Sequence, residues 1–242
     1  MIVFISDLHI PYEHSRAVSA TKKFLRDNKE DIDEIILGGD IMDVYSPSQF
    51  THYKNGPEQE FQYELDKTTE FLTELREIIP NKKITYLEGN HEKRIPKFLA
   101  TQGVSLKGLK CLTVPQLLRL DQLKMEYITA PYIKRGDTLF MHGSKVSPLP
   151  GGSVLKEYLK WRSPIVMGHC HRLNIYCYTS MGQHHRCYES GCLQDPAKQE
   201  FDPNPNWQLG FLVFHVTKKG NLIGDMATYV NDTMYLRGKR IN

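Results

Sequence analysis

Ile84-Thr85-Tyr86-Leu87-Glu88-Gly89-Asn90-His91-Glu92 is the stretch that decides the fold. A short run of strand-forming residues ends abruptly in a cluster of proton- and metal-handling side chains, with a glycine among them. Such a run, bounded by a turn, reads as a buried strand, and ligands bind outside the carboxyl ends of strands in open α/β sheets. The same event recurs four more times. Ile2–Ile5 runs into Ser6-Asp7-Leu8-His9, Ile35–Leu37 into Gly38-Gly39-Asp40, Leu139–Met141 into His142-Gly143, and Ile165–Met167 into Gly168-His169-Cys170-His171. If these runs are neighbouring strands, Asp7, His9, Asp40, Asn90, His91, His142, His169 and His171 converge on one rim.

Helical patterns separate the first runs. Within Glu58–Ile79, Phe61, Leu65, Thr68, Leu72, Leu75 and Ile79 recur at steps of three and four, giving one apolar stripe; Pro57 suits its first turn and Pro80 ends it. Ala17–Asp27 is a second helix. Strands alternating with helices predict a mostly parallel, buried sheet with helices on its faces. The last third reads as strands at Asn174–Thr179, His184–Glu189, Leu209–Val216 and Leu222–Val230, with Lys219-Gly220-Asn221 as a hairpin turn, and is expected to complete a second sheet. Without repeats or an obvious linker, residues 1–242 read as one domain with two packed sheets.

Bulk composition adds boundaries. The chain is 40% hydrophobic and 24% charged, with a formal net charge of +3, which demands neither nucleic acid nor any other charged partner. Five cysteines, an odd number with no Cys-x-x-Cys pair, read as reduced thiols in a cytoplasmic protein. The N-terminus lacks the basic lead and cleavage site of a signal peptide, and no apolar stretch approaches the roughly 18 residues of a membrane span.

Imidazole, carboxylate and amide-oxygen ligands suit borderline divalent ions: manganese first, with iron, zinc, nickel, cobalt or magnesium as alternatives. The candidates are too many for one ion and enough for two sharing a bridge. Two ions about 3.5–4 Å apart lower the pKa of a bridging water and neutralise phosphoryl oxygens. A nearby imidazole can protonate the leaving oxygen. Ordinary strand-end turns and caps explain a single Gly-Asp, but not histidines in all the matching places.

In these residues the chain resembles the calcineurin-like metallophosphoesterase superfamily. Its pattern appears here as Asp7-x-His9, Gly39-Asp40, Gly89-Asn90-His91-Glu92, His142-Gly143 and Gly168-His169-x-His171. The resemblance implies an α/β fold, a four-layer αββα sandwich with two packed mixed sheets. It implies that Asp7, His9 and His171 hold one ion, that Asp40 bridges, that Asn90, His142 and His169 hold the other, and that His91 lies beside the bound phosphate. Protein Ser/Thr phosphatases of the superfamily carry Arg-Gly after Gly-Asp-x-x-Asp; here Asp43 is followed by Val44-Tyr45-Ser46. The chain looks more like compact bacterial and phage members. The expectation is a phosphomonoesterase acting on nucleoside or deoxynucleoside 5′-monophosphates. The rivals are a phosphodiesterase or nuclease on the same site, with nucleic acid as partner, and a catalytically silent scaffold.

Other residues carry two readings each. Asp43 either holds a ligand histidine or caps a helix. Glu92 reads as serving a helix N-terminus rather than a metal. Lys93 and Arg94 are either a phosphate clamp or a solvated helix face. Cys170 is taken as packing. His14, His52, His184, His185 and His215 read as surface or satisfied core residues. The aromatic segment Tyr45–Gly56, with Tyr45, Phe50, His52 and Tyr53, either stacks on a base or is a packed loop. Trp207 is a weaker candidate of that kind.

Overall fold

A computed structural model describes residues 1–48, 56, 59–180, 182–199, 202, 204–217 and 220–241. Along the chain, β1 (Ile2–Ile5), α1 (Ser15–Asp27), β2 (Glu34–Leu37), α2 (Phe61–Ile78), β3 (Lys83–Leu87) and α3 (Arg94–Thr101) alternate. Then come α4 (Val114–Leu117), β4 (Glu126–Ile128), β5 (Ile133–Arg135), β6 (Thr138–Met141), α5 (Gly152–Trp161) and β7 (Ile165–Met167). The elements after β7 are strands: β8 (Leu173–Ser180), β9 (Gln183–Ser190), β10 (Gly210–Val216), β11 (Leu222–Val230), β12 (Thr233–Leu236) and β13 (Lys239–Ile241).

The strands form two mixed sheets, ordered β13-β12-β11-β10-β1-β2-β3-β4 and β5-β6-β7-β9-β8. β1 to β4 are parallel neighbours, as are β6, β7 and β9. The alternation of side chains along each strand makes the layers. Val3 and Ile5 of β1, with Ile35 and Leu37 of β2, pack under α1 and α2. Their alternates Ile2, Phe4 and Ile36 face the second sheet, where Phe140, Val166 and Tyr188 meet them. On that sheet's far side Leu139, Met141, Ile165 and Met167 pack against Val154 and Tyr158 of α5. The result is helix, sheet, sheet, helix: the four-layer αββα sandwich.

One expectation is corrected. Only β8 and β9 of the C-terminal strands join the second sheet, while β10 to β13 extend the first, β10 pairing antiparallel with β1. β10 is apolar on both faces. Phe211 and Val213 pack on the helix side and Leu212 and Phe214 between the sheets, so it belongs beside β1 in the middle of the larger sheet. Side-chain alternation cannot tell which sheet such a strand joins.

The predicted helices hold with small shifts. α1 begins two residues early because the His14 imidazole caps it, accepting from the Ala17 amide at 3.2 Å. α2 buries Leu65, Thr68, Leu72 and Leu75 of the expected stripe. Pro57 lies outside the described residues. At the end of the sandwich away from the motif residues, Arg135 makes a bidentate pair with the buried Glu34 at 2.6 and 2.7 Å, tying β5 to β2 across the two sheets.

Candidate metal centre

The motif residues follow the carboxyl ends of β1, β2, β3, β6 and β7, the first three in one sheet and the last two in the other. One rim therefore becomes two facing rims. Asp7, His9, Asp40, His169 and His171 all have positive φ, between 50° and 68°. Non-glycine residues in this left-handed region cost about 1–3 kcal/mol each, and such strain gathers where side-chain direction matters more than stability. Here it ends each strand at once and turns consecutive side chains toward the facing rim.

Glycines let the rims close. A Cβ on Gly89 would collide with the Asp40 carboxylate and amide, and one on Gly168 with the side chains of Asp7 and Ser6. These two motif glycines are places where another ligand's loop passes close by. Backbone amides then aim the carboxylates: the His169 amide lies 3.0 Å from both Asp7 oxygens, and the His91 amide donates to Asp40 Oδ1 at 2.9 Å.

Three overlapping donor clusters result: Asp7, His9 and His171; His9, Asp40 and His91; and Asp40, His142 and His169. His171 Nε2 lies 3.3 Å from Asp7 Oδ1 and 3.1 Å from His9 Nε2, and His142 Nε2 lies 3.3 Å from Asp40 Oδ2 and 2.9 Å from Asn90 Oδ1. Adjacent ligands on an ion with bonds of roughly 2.0–2.2 Å are separated by about this much.

The donor chemistry tests the fit more sharply. His142 Nδ1 donates to the Gly38 carbonyl at 2.9 Å, so its Nε2 turns a lone pair toward two oxygens. That arrangement is repulsive unless a positive charge sits there, a proton or a metal ion. Likewise the Nε2 atoms of His9 and His171 face each other. The residues fit divalent metal.

Outer contacts hold these rings. Asp43 Oδ1 accepts from His9 Nδ1 at 2.9 Å and lies 3.3 Å from His91 Nδ1, which also donates to the Asp43 carbonyl at 2.6 Å. Of its two readings, Asp43 therefore takes the first: it fixes the His9 tautomer with Nε2 inward. Glu92 does not serve a helix N-terminus. Its buried carboxylate accepts from the amides of Asp40, Ile41, Met42 and Gly89 and from the Tyr86 hydroxyl, stitching the β2 loop to the β3 loop.

The electrostatics of the centre follow from this crowding. Burial, then the neighbouring His91, lowers His9 to about 4, leaving it a neutral ligand. Burial opposes the charge on Asp40, but His142 and His91 outweigh it and hold the carboxyl well below its usual range. His142 rises to about 9 because Asp40 overcomes the burial penalty. His91 also rises, Asp40 and Asp43 overcoming burial.

Among the remaining candidates, Arg94 is not on a solvated face. Its guanidinium donates to the Asp43 carbonyl at 2.8 Å and reaches His91 Nε2 at 2.9 Å. Tyr45 is half-buried, its ring edge-on to Tyr12, and its amide donates to Glu64. Phe50, His52 and Tyr53 lie outside the described residues. Trp207 packs its ring on His171. His184, His185 and His215 pair with Thr179, Tyr158 and Asp225, away from the centre. Glu64 was missed. It is fully buried on α2, in the apolar stripe between Phe61 and Thr68, and that position was its only signal.

A carboxylate- and imidazole-rich centre at the facing rims of an αββα sandwich defines a metal-dependent class of protein. The chain matches the calcineurin-like phosphoesterase family over residues 1–207 and belongs to it. It is 25% identical over 231 residues to the Gene 54 protein of Mycobacterium phage L5, covering 89% of this chain and 88% of that one. It is 26% identical over 226 residues to the Gene 54 protein of Mycobacterium phage D29, covering 87% and 86%. Among solved structures it is similar to Vps29 of Chaetomium thermophilum, at a TM-score of 0.41 and 14% identity over 94% of this chain and 97% of that one. Among the described residues no helix is long and apolar enough to cross a membrane.

Proposed function

We propose that the protein is a two-metal phosphomonoesterase of nucleoside or deoxynucleoside 5′-monophosphates, acting in the cytoplasm of a bacterial or phage-infected cell. The observation that carries the two-metal reading is the central place of Asp40, whose Oδ2 lies 3.9 Å from His9, 3.8 Å from His91 and 3.3 Å from His142. On this reading Asp7, His9 and His171 hold one ion, Asn90, His142 and His169 the other, and Asp40 both; manganese is the first choice. When bound, two such ions supply a lowered water pKa and neutralisation of phosphoryl charge.

The chain's own residues do the rest. His91 Nδ1 donates to the Asp43 carbonyl and its Nε2 accepts from the Arg94 guanidinium; burial opposes a proton on Nε2 and the Asp40 and Asp43 carboxylates favour it, and that proton is the one the leaving oxygen would take. With phosphate bound, Arg94 would turn this guanidinium from the nitrogen to a phosphoryl oxygen, leaving Nε2 open to the proton. On this reading Tyr45 would wall the base side; His52, proposed with it, lies outside the described residues.

The compact chain and the lack of Arg-Gly after Asp43 support a small substrate over a phosphoprotein. A mononucleotide panel with manganese tests this. Phosphate release from at least one mononucleotide is expected, and release from none refutes the substrate. Preference for bis-(p-nitrophenyl) phosphate over the monoester, with digestion of DNA, would show the diesterase instead.

A further inference from the structure

The inward-facing histidines of the centre are not held alike. A metal-ligating imidazole nearly always donates its other ring N–H to a carboxylate, a carbonyl or water, which sets its orientation. His9 uses the Asp43 carboxylate and His142 the Gly38 carbonyl. His171 turns Nε2 toward Asp7 and His9, but its Nδ1 is buried and has no hydrogen-bond partner among the described residues.

What His171 has instead is an aromatic wall. The Trp207 ring lies 4.2 Å from it, centroid to centroid, inclined at 67°. The segment around Trp207 also grips the backbone beside this histidine. The Gln208 amide donates to the His171 carbonyl at 2.9 Å, and Gln208 Oε1 accepts from the Leu173 amide at 3.3 Å. Gln208 is itself steadied by donating to Asn206 Oδ1 at 2.9 Å. The described part of the loop between β9 and β10 adds no member to the donor clusters, yet it packs against a ligand ring whose buried outer nitrogen lacks a polar anchor.

We propose that Trp207 is a positioning residue for the ion held by Asp7, His9 and His171: its ring replaces, by packing, the hydrogen bond that His171 lacks. The inference rests on the metal reading above. Without Trp207 the His171 ring is free to rotate about its side-chain torsions, and the cation site it completes loosens. The other site, built from Asn90, His142 and His169, does not depend on the His171 ring and is expected to keep its affinity.

The test is a manganese titration of the metal-free full chain, followed by calorimetry, for wild type, Trp207→Ala and Trp207→Phe. Wild type takes up two ions. Trp207→Ala is expected to bind one ion as wild type does and the other roughly 10- to 100-fold more weakly, the usual cost of removing an outer support. The unchanged ion also reports that the variant is folded. Trp207→Phe keeps a ring against His171 and recovers most of the loss. Trp161, the other tryptophan, stacks on Tyr132 and donates to Glu157, so in Trp161→Phe the remaining indole emission comes from Trp207. Paramagnetic manganese should quench it as the ion beside His171 binds, a readout that needs no Trp207 variant to fold. Equal affinities in wild type and Trp207→Ala would overturn the inference and leave the metal reading standing. So would a Phe variant as weak as Ala, or emission indifferent to the metal. A wild type that binds no manganese would overturn both.

Discussion

The loops after β1, β2 and β3 and the turn after β7 deliver the same kinds of ligand by different means. On the first sheet, buried carboxylates do the holding: Asp43 aims His9, and Glu92 joins the Asp40 loop to the Gly89 loop through four amides and a phenol. On the second, Gly168 to His171 form a tight turn with His169 and His171 at positive φ, the Asp7 carboxylate meets its His169 amide, and an indole packs its last histidine. Hydrogen-bonded carboxylates set both direction and basicity of a ligand, whereas packing sets direction alone. The two halves should therefore respond differently to mutation.

The largest effect is expected where the halves meet. Asp40→Asn removes the carboxylate charge that both donor sets face; metal content should fall at both positions and phosphate release drop to background. Retention of both ions with near-normal turnover would separate the halves entirely. Next is His91→Ala. It should keep its metals yet slow turnover by about 10²–10⁴-fold, the scale of lost general-acid catalysis, in the same assay. Loss of metal in that variant would make His91 a ligand.

Smaller and more selective is Asp43→Asn, which keeps the shape but removes the charge behind His9. Manganese affinity at the His9 position should weaken roughly 10- to 100-fold in calorimetry. Because Asp43 also accepts from His91, kcat should fall as well, unlike the packing change at Trp207. Identical profiles for the two variants would erase the contrast between the halves.

The smallest effect concerns Glu64, behind the Asp43 loop. Burial, then Asp43, pushes its carboxyl up to about 9. The folded chain thus binds a proton that the unfolded chain has already lost between its ordinary value of 4.5 and about 9. Across that window this group makes stability fall as pH rises. Glu64→Gln should flatten the decline of Tm from pH 5 to pH 9 in metal-free protein. An unchanged slope would mean that Glu64 is ionised in the fold.

This contrast also marks what the sequence made legible. Ligand-type residues announce themselves because each follows a short apolar strand, and the structure does gather Asp7, Asp40, Asn90 and the histidines at one end of the sandwich. The supports are less readable. Asp43 had even readings because a carboxylate six residues past a strand end serves a histidine or a helix equally well. Glu92 was read toward a helix because its partners, the amides of Asp40 to Met42, lie some fifty residues away in sequence. Trp207 looked like a base platform because nothing local couples it to His171. Sheet membership failed for the same reason: β10 carries apolar residues on both faces, and such a strand fits the middle of either sheet.

The central claim is that these separated loops enclose two cations around Asp40. Metal analysis of the purified chain, before and after exhaustive chelation, with phosphate release followed in parallel, tests it most directly. The account predicts two divalent ions per chain, loss of activity with the ions, and recovery on adding manganese back. Full hydrolysis by a chain stripped of metal would contradict it.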